Sequence, residues 1–155
     1  MKLKYTKFQI VIELMALLLL LSIFIYLILA WGSLPDQIPG HYNGAGIVDR
    51  WGNKKEIWIL PIMGLILYIL ITVISRFPAI WNVPVKITDE NREYVYSNLK
   101  SMLIIVKMDM VIIFAYLVYS DINTQFLGVW FLPLVLILLF GNIIYYIIKV
   151  SRRRT

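Results

Sequence analysis

Four apolar stretches, each near the length that crosses a lipid bilayer, dominate the chain and leave few folds open to it. They run over about residues 8–31, 57–75, 102–119 and 126–148. A helix rising about 1.5 Å per residue needs roughly 20 residues to cross the hydrocarbon layer. Lipid offers no partner for backbone N–H and C=O groups, so such stretches must be helical. With 61% hydrophobic and 15% charged residues, one soluble core cannot hide the apolar surface. That composition argues against a soluble enzyme and excludes disorder. Zero cysteines remove disulfides, thiolate catalysis and cysteine-held metals. The first stretch is far longer than the ~7–15 apolar residues of a signal peptide, and no small-residue cleavage site follows it. It reads as a retained helix.

The placement of the cations sets the expected orientation. Lys2, Lys4 and Lys7 precede the first span, Arg76, Lys86, Arg92 and Lys100 lie between the second and third, and Lys149, Arg152, Arg153 and Arg154 follow the fourth. Only Arg50, Lys54 and Lys55 lie on the opposite side. Eleven against three places both termini in the cytoplasm by the positive-inside bias. The net charge of +6 is then explained by topology and anionic headgroups, without nucleic acid as a partner. Trp31, Trp51, Trp58 and Trp130 fall near the outer boundary, where an aromatic belt belongs. The short SDINT turn makes the third and fourth spans antiparallel neighbours. The expected fold is an all-α membrane protein of one domain, residues 1–155, with four transmembrane helices and a small outer β-hairpin-like loop between the first two.

Two connections carry the polar residues. In the cytoplasmic loop, 76–101, Pro78 and Pro84 favour extended chain, and Thr88 is placed to cap a helix with Asp89 and Glu90 in its first turn. That helix is expected to run through Val95 and Leu99 into the third span. The outer loop, 32–56, holds five glycines, two prolines and the lone histidine. Its NGAG sequence, flanked by strand-like residues, is a hairpin signal. If Gly44-Ala45-Gly46 forms a three-residue loop, Asn43 stands opposite Ile47, Tyr42 opposite Val48 and His41 opposite Asp49; a four-residue loop would shift that register. Packing of Tyr42, Ile47 and Trp51 on the helix ends is expected to hold it.

The segment LPDQIPGHYNGAGIVDRWGNK, with Pro39, His41, Asn43, Gly46, Asp49, Gly52 and Lys54 in a P-x-H-x-N-x-x-G-x-x-D-x-x-G-x-K pattern, and the later WNVPVKITDENREYVY carry a resemblance. The chain resembles a bacterial family of small membrane domains of unassigned function, found as the N-terminal half of SdpI-type toxin-immunity proteins. The resemblance implies a bacterial cytoplasmic (inner) membrane. It also implies a role near immunity to, or sensing of, a secreted peptide toxin, with that peptide or another membrane protein as partner beside the lipid bilayer. SdpI-type proteins carry further membrane helices after this domain, whereas this sequence runs to SRRRT, so immunity is implied by the relatives alone.

Two sets of residues are candidates for chemistry. An exposed polar–aromatic cluster on a short loop is where recognition is usually built; here that is His41, Tyr42, Asn43, Asp49, Arg50, Trp51 and Lys54. His41 with Asp49 also resembles the base–orienter half of a triad, yet Ser33 is the one nearby hydroxyl nucleophile. Zinc needs three or four ligands; the chain has one histidine and no cysteine, and Asp36, Asp49 and Asp121 contribute only if they converge on it. A lone histidine in a glycine-rich hairpin reads first as structural, then as recognition, and last as a base. No catalytic residue, metal or cofactor is assigned.

The second set lies within the spans. Glu13, Lys107, Asp109 and Asn142 fall at similar depth, where an unpaired charge costs at least ~2.5–3.5 kcal/mol. A Glu13–Lys107 ion pair is the economical arrangement. Lys107 and Asp109, two residues apart, point about 200° apart around their helix, so Asp109 turns to Asn142, water or a partner subunit. Polar ties that fix helix register and an ion path are the two readings. The function expected is non-enzymatic recognition, immunity or sensing through the outer loop. The alternatives are a small ion-coupled transporter using the intramembrane charges and, behind it, an enzyme acting on lipid headgroups or peptides.

Overall fold

The structure, a computed structural model, describes residues 3–152; Lys2, Arg153 and Arg154 of the charge pattern lie outside the described residues. Helix α1 (Lys7–Ala30) is followed by a short antiparallel hairpin, β1 (Gln37–Tyr42) and β2 (Val48–Asn53). A 3-10 turn, Lys54–Trp58, leads into α2 (Ile59–Ile74); then come α3 (Arg92–Ile122) and α4 (Phe131–Ser151). With their flanking turns, all four helices are long and apolar enough to cross a membrane. Large apolar side chains such as Leu18, Leu29, Ile66 and Ile137 face outward. A water-soluble fold would not leave them so; lipid accepts them.

Helix α3 is the axis of the bundle, and each of the other helices packs on it. Its partners show the directions. Gln9 of α1 reaches Ser97 and Ser101, while Tyr26 stacks on Tyr119, so α1 runs parallel to α3. Thr72 reaches Lys107 and Gly64 faces Phe114, so α2 runs antiparallel. Val150 packs with Val95 and Leu99 while Phe131 stacks on Tyr116, so α4 is antiparallel too, as the short turn predicts. Both described ends of the chain therefore lie at one end of the bundle, opposite the hairpin. The middle of the bundle is an apolar layer of Leu20, Ile23, Val111 and Val118.

Local chemistry explains the helix starts. Thr6 and Gln9 form a reciprocal capping box, each side chain accepting from the other's backbone N–H at 3.2 and 3.1 Å. Gln9 then spends its amide N–H groups on Ser97 and Ser101 and is fully buried. Pro61 and Pro133 sit in the first turns of α2 and α4, where a missing N–H breaks no helical bond.

The boundaries differ from the sequence expectation in two places. α3 runs through Val95 and Leu99 into the third span as expected, but begins at Arg92, three residues later than a Thr88 cap would start it. Its cap position is Asn91 rather than Thr88; Thr88 and Asn91 instead bond to each other's backbone N–H groups in the turn before the helix. The fourth helix starts at Phe131, because Gly128 takes a positive φ of 79° and the Leu127 N–H is spent on the hairpin.

Candidate functional site

The hairpin is built as the glycine and asparagine positions dictate. Asn43 and Ile47 close the loop, with the Asn43 N–H donating to the Ile47 carbonyl at 2.9 Å. The Asn43 side-chain oxygen accepts from Ala45 and Ile47, so this residue is committed to the turn. Tyr42 pairs with Val48 as expected, but His41 pairs with Arg50 rather than Asp49. Two irregularities leave Gly40 and Asp49 without cross-strand partners, and bulges of this kind re-aim side chains. Asp49 is so re-aimed that its Oδ1 lies 2.6 Å from His41 Nδ1. The two side chains meet although their backbones do not oppose, and both are open to solvent, at 63% and 43% exposure.

What anchors the hairpin differs from the expectation. Ile47 is 50% and Trp51 is 53% exposed, so neither packs it down. Ile38 does so instead, in a buried cluster with Leu27, Leu34 and Ile57. Polar fixings come from the α3–α4 connection. Tyr42 Oη donates to Asp121 Oδ1 at 2.8 Å and meets the Gln125 carbonyl at 3.2 Å. The Leu127 N–H donates to the Gly46 carbonyl at 2.9 Å. Gly46 has φ +73°, and a Cβ there would stand 2.5 Å from the Gly128 nitrogen, so only glycine fits. Burial, then the Asp121 bond, pushes the Tyr42 phenol well above its ordinary value of 10.0.

Arg50 links strand to helix start. Its Nη2 donates to the Gly40 carbonyl at 2.6 Å and its Nη1 to Glu56 Oε2 at 3.1 Å. The other Glu56 oxygen accepts from the Asn53 N–H, completing a capping box with Asn53. Glu56 was not among the residues singled out from the sequence, although Asn53-Lys54-Lys55-Glu56 has the N-x-x-E form of such a box. Lys54 lies 3.6 Å from Asp36 and over the Trp31 ring at 5.5 Å.

Between hairpin and helices lies a cleft of about 430 Å³. Its polar wall is His41, Tyr42, Arg50, Glu56 and Asp121; its apolar wall includes Ile59, Leu60, Leu117 and Phe131 from three helices. Of the seven hairpin candidates, the structure brings His41, Tyr42 and Arg50 to this cleft. Asp49 positions His41, Asn43 serves the turn, and Trp51 and Lys54 do not line the cleft. Asp121, seen in the sequence only as a possible metal ligand, proves to be the Tyr42 partner.

The intramembrane candidates separate into two ties. Lys107, 1% exposed, donates to Glu13 at 2.5 Å and to Thr72 Oγ1 at 2.8 Å, and lies over the Tyr68 ring at 4.5 Å. Asn142 donates to Asp109 on the α3–α4 face and to the Leu138 carbonyl. Thr72 and Tyr68 escape sequence reading because single hydroxyls in an apolar helix are common and carry no spacing signal. No group of three or more His, Cys, Asp or Glu side chains that would hold a metal occurs among the described residues.

Residues 17–65 match a family described as a domain of unknown function, DUF1648. That segment contains α1 from its middle, the whole hairpin and the start of α2. An uncharacterised protein of Archaeoglobus fulgidus is 31% identical over 86 residues, covering 46% of this chain and 47% of the relative. The chain thus spans about half the length of that relative. No solved structure matches. The chain is a multi-pass membrane protein that carries, around its hairpin, a segment similar to this domain of unknown function.

Proposed function

We propose that the protein is a non-enzymatic recognition component of a bacterial cytoplasmic membrane, with both termini in the cytoplasm and the hairpin on the outer face. It binds a secreted peptide or another membrane protein, in an immunity, sensing or accessory role related to that of SdpI-type proteins. The observation that carries this reading is the cleft. It gathers His41, Tyr42 and Arg50 against three helix ends, and its volume falls in the roughly 300–1,000 Å³ range of binding sites. The His41–Asp49 pair, held at the exposed rim, supports recognition over acid–base chemistry, because the Ser33 hydroxyl is spent on the Ala30 carbonyl at 2.8 Å. The apolar layer of Leu20, Ile23, Val111 and Val118, standing between the Glu13–Lys107 tie and the cleft, supports a static role for the intramembrane charges.

Two measurements test the reading. A Cβ at Gly44 meets nothing within 4 Å, and the chain has no other cysteine, so Gly44→Cys is a clean reporter. It is expected to react with a membrane-impermeant maleimide in intact bacterial cells; protection there overturns the topology. A photo-crosslinking residue at position 51 is expected to give a specific adduct that His41→Ala or Asp49→Ala abolishes at equal membrane levels. An adduct indifferent to both changes, or none, overturns the role.

A further inference from the structure

We infer that the cleft beneath the hairpin receives a primary ammonium on an apolar stem, the side chain of a lysine in an amphipathic peptide, with Asp121 as its counter-ion. The inference rests on the recognition reading above and supplies its ligand chemistry. Asp121 is 4% exposed, yet it lines the cleft. Its carboxylate takes one hydrogen bond, from Tyr42, and it forms none of the ion pairs among the described residues. A buried carboxylate without a cation is costly, and an occupant that brings one removes that cost.

The other charges on the wall are already matched. Arg50 pairs with Glu56 at 3.1 Å, and His41 is held by Asp49. Asp121 is left as the uncompensated charge, in the last turn of α3. In the same cleft, Ile59, Leu60, Leu117 and Phe131 provide an apolar wall. A ligand that satisfies both has a positive tip and a hydrocarbon stem. Lysine carries its ammonium on a flexible four-carbon stem. A zwitterionic lipid amine is a poorer match, because its phosphate, two carbons from the nitrogen, would stand near the Asp121 carboxylate, while Arg50, the cation on the same wall, is spent on Glu56 and the Gly40 carbonyl.

The test uses the full chain in phosphatidylcholine nanodiscs, with n-octylammonium as the probe and n-octanol as its uncharged counterpart. Methyl NMR shifts of Ile59 and Leu60 report occupancy. Octylammonium is expected to saturate these shifts at a concentration about tenfold lower than octanol, the size of one charge-assisted hydrogen bond. Asp121→Asn is expected to erase that preference, while exchange protection of the Leu127 amide shows the hairpin still docked. Equal responses to the two probes, or a preference that survives Asp121→Asn, overturn the inference and leave the crosslinking test of recognition untouched. Should the asparagine variant undock the hairpin, the wild-type ratio decides, and a ratio near one overturns it. Saturation of the same shifts by phosphatidylethanolamine in the disc would make a lipid amine the occupant and overturn the peptide assignment.

Discussion

The Lys107 ammonium meets the Glu13 carboxylate 2.5 Å away, across the α1–α3 interface and from 94 positions along the chain. Lys107 is sealed off and Glu13 largely so, at 1% and 17% side-chain exposure. Removing one partner leaves the other charge buried and uncompensated, which typically costs about 3–5 kcal/mol. Glu13→Gln and Lys107→Met are each expected to lose stability on that scale in reversible unfolding from mixed micelles. Because the two side chains touch, the double variant is expected to cost clearly less than the two losses together. Strict additivity would show that the pair does not interact.

Gly46 is the position where the hairpin tolerates no side chain. Its positive φ and the Gly128 backbone 2.5 Å from a built Cβ both act against any substitution. Gly46→Ala is expected to cost about 1–2 kcal/mol for the backbone conformation alone, and more for the displaced loop. Hydrogen exchange at the Leu127 amide, which donates to the Gly46 carbonyl, is expected to lose its protection in the variant. Gly44→Ala, in open space, serves as the neutral control.

Tyr42 makes the hairpin sensitive to alkali. Its phenol is held protonated above the ordinary value of 10.0 by burial and by the Asp121 bond, so the unfolded chain ionises first. Stability from this group is present in full below pH 10 and declines as pH climbs beyond it. Tyr42→Phe, which leaves the buried Asp121 carboxylate without its hydrogen bond, is expected to lower stability by about 1.5–3 kcal/mol at neutral pH and to flatten the alkaline decline. An unchanged alkaline limb would show that Tyr42 is not its source.

The His41–Asp49 contact should matter little to folding. Both side chains are exposed at the rim, and exposed ion pairs contribute about 0.2–1 kcal/mol at most. His41→Ala and Asp49→Ala are expected to leave the unfolding midpoint nearly unchanged while abolishing the position-51 adduct. A large stability loss would assign the pair a structural role instead.

The sequence makes the four helices and the hairpin turn legible because each rests on a local rule. Apolar length decides the spans, and Asn43 with Gly46 decides the loop. The Glu13–Lys107 pair is also legible, since two opposite charges at one depth in lipid have few other partners. Three features escape. The register of His41 shifts at the bulges of Gly40 and Asp49; an isolated strand glycine hints at a bulge, but nothing local says that Asp49 is the residue skipped opposite it. The burial of Ile38 rather than Trp51 follows from how the hairpin leans on Leu27 and Ile57, a matter of tertiary contact. Asp121 stands 79 residues from Tyr42, and nothing in either neighbourhood announces that they meet. The cleft is therefore invisible until the chain is folded, even though His41, Tyr42 and Arg50, three of the five residues of its polar wall, are singled out from the loop alone.

The clasp between Gly46 and Leu127 has a consequence for modularity. The stretch similar to DUF1648 ends at residue 65, yet the fasteners of its hairpin, at Asp121, Gln125 and Leu127, belong to the second half of the chain. A fragment cut after α2 would keep its turn and the packing of Ile38 on Leu27, Leu34 and Ile57, but would lose the polar moorings that the α3–α4 connection supplies. The portable unit is the ribbon; its posture is set by its host.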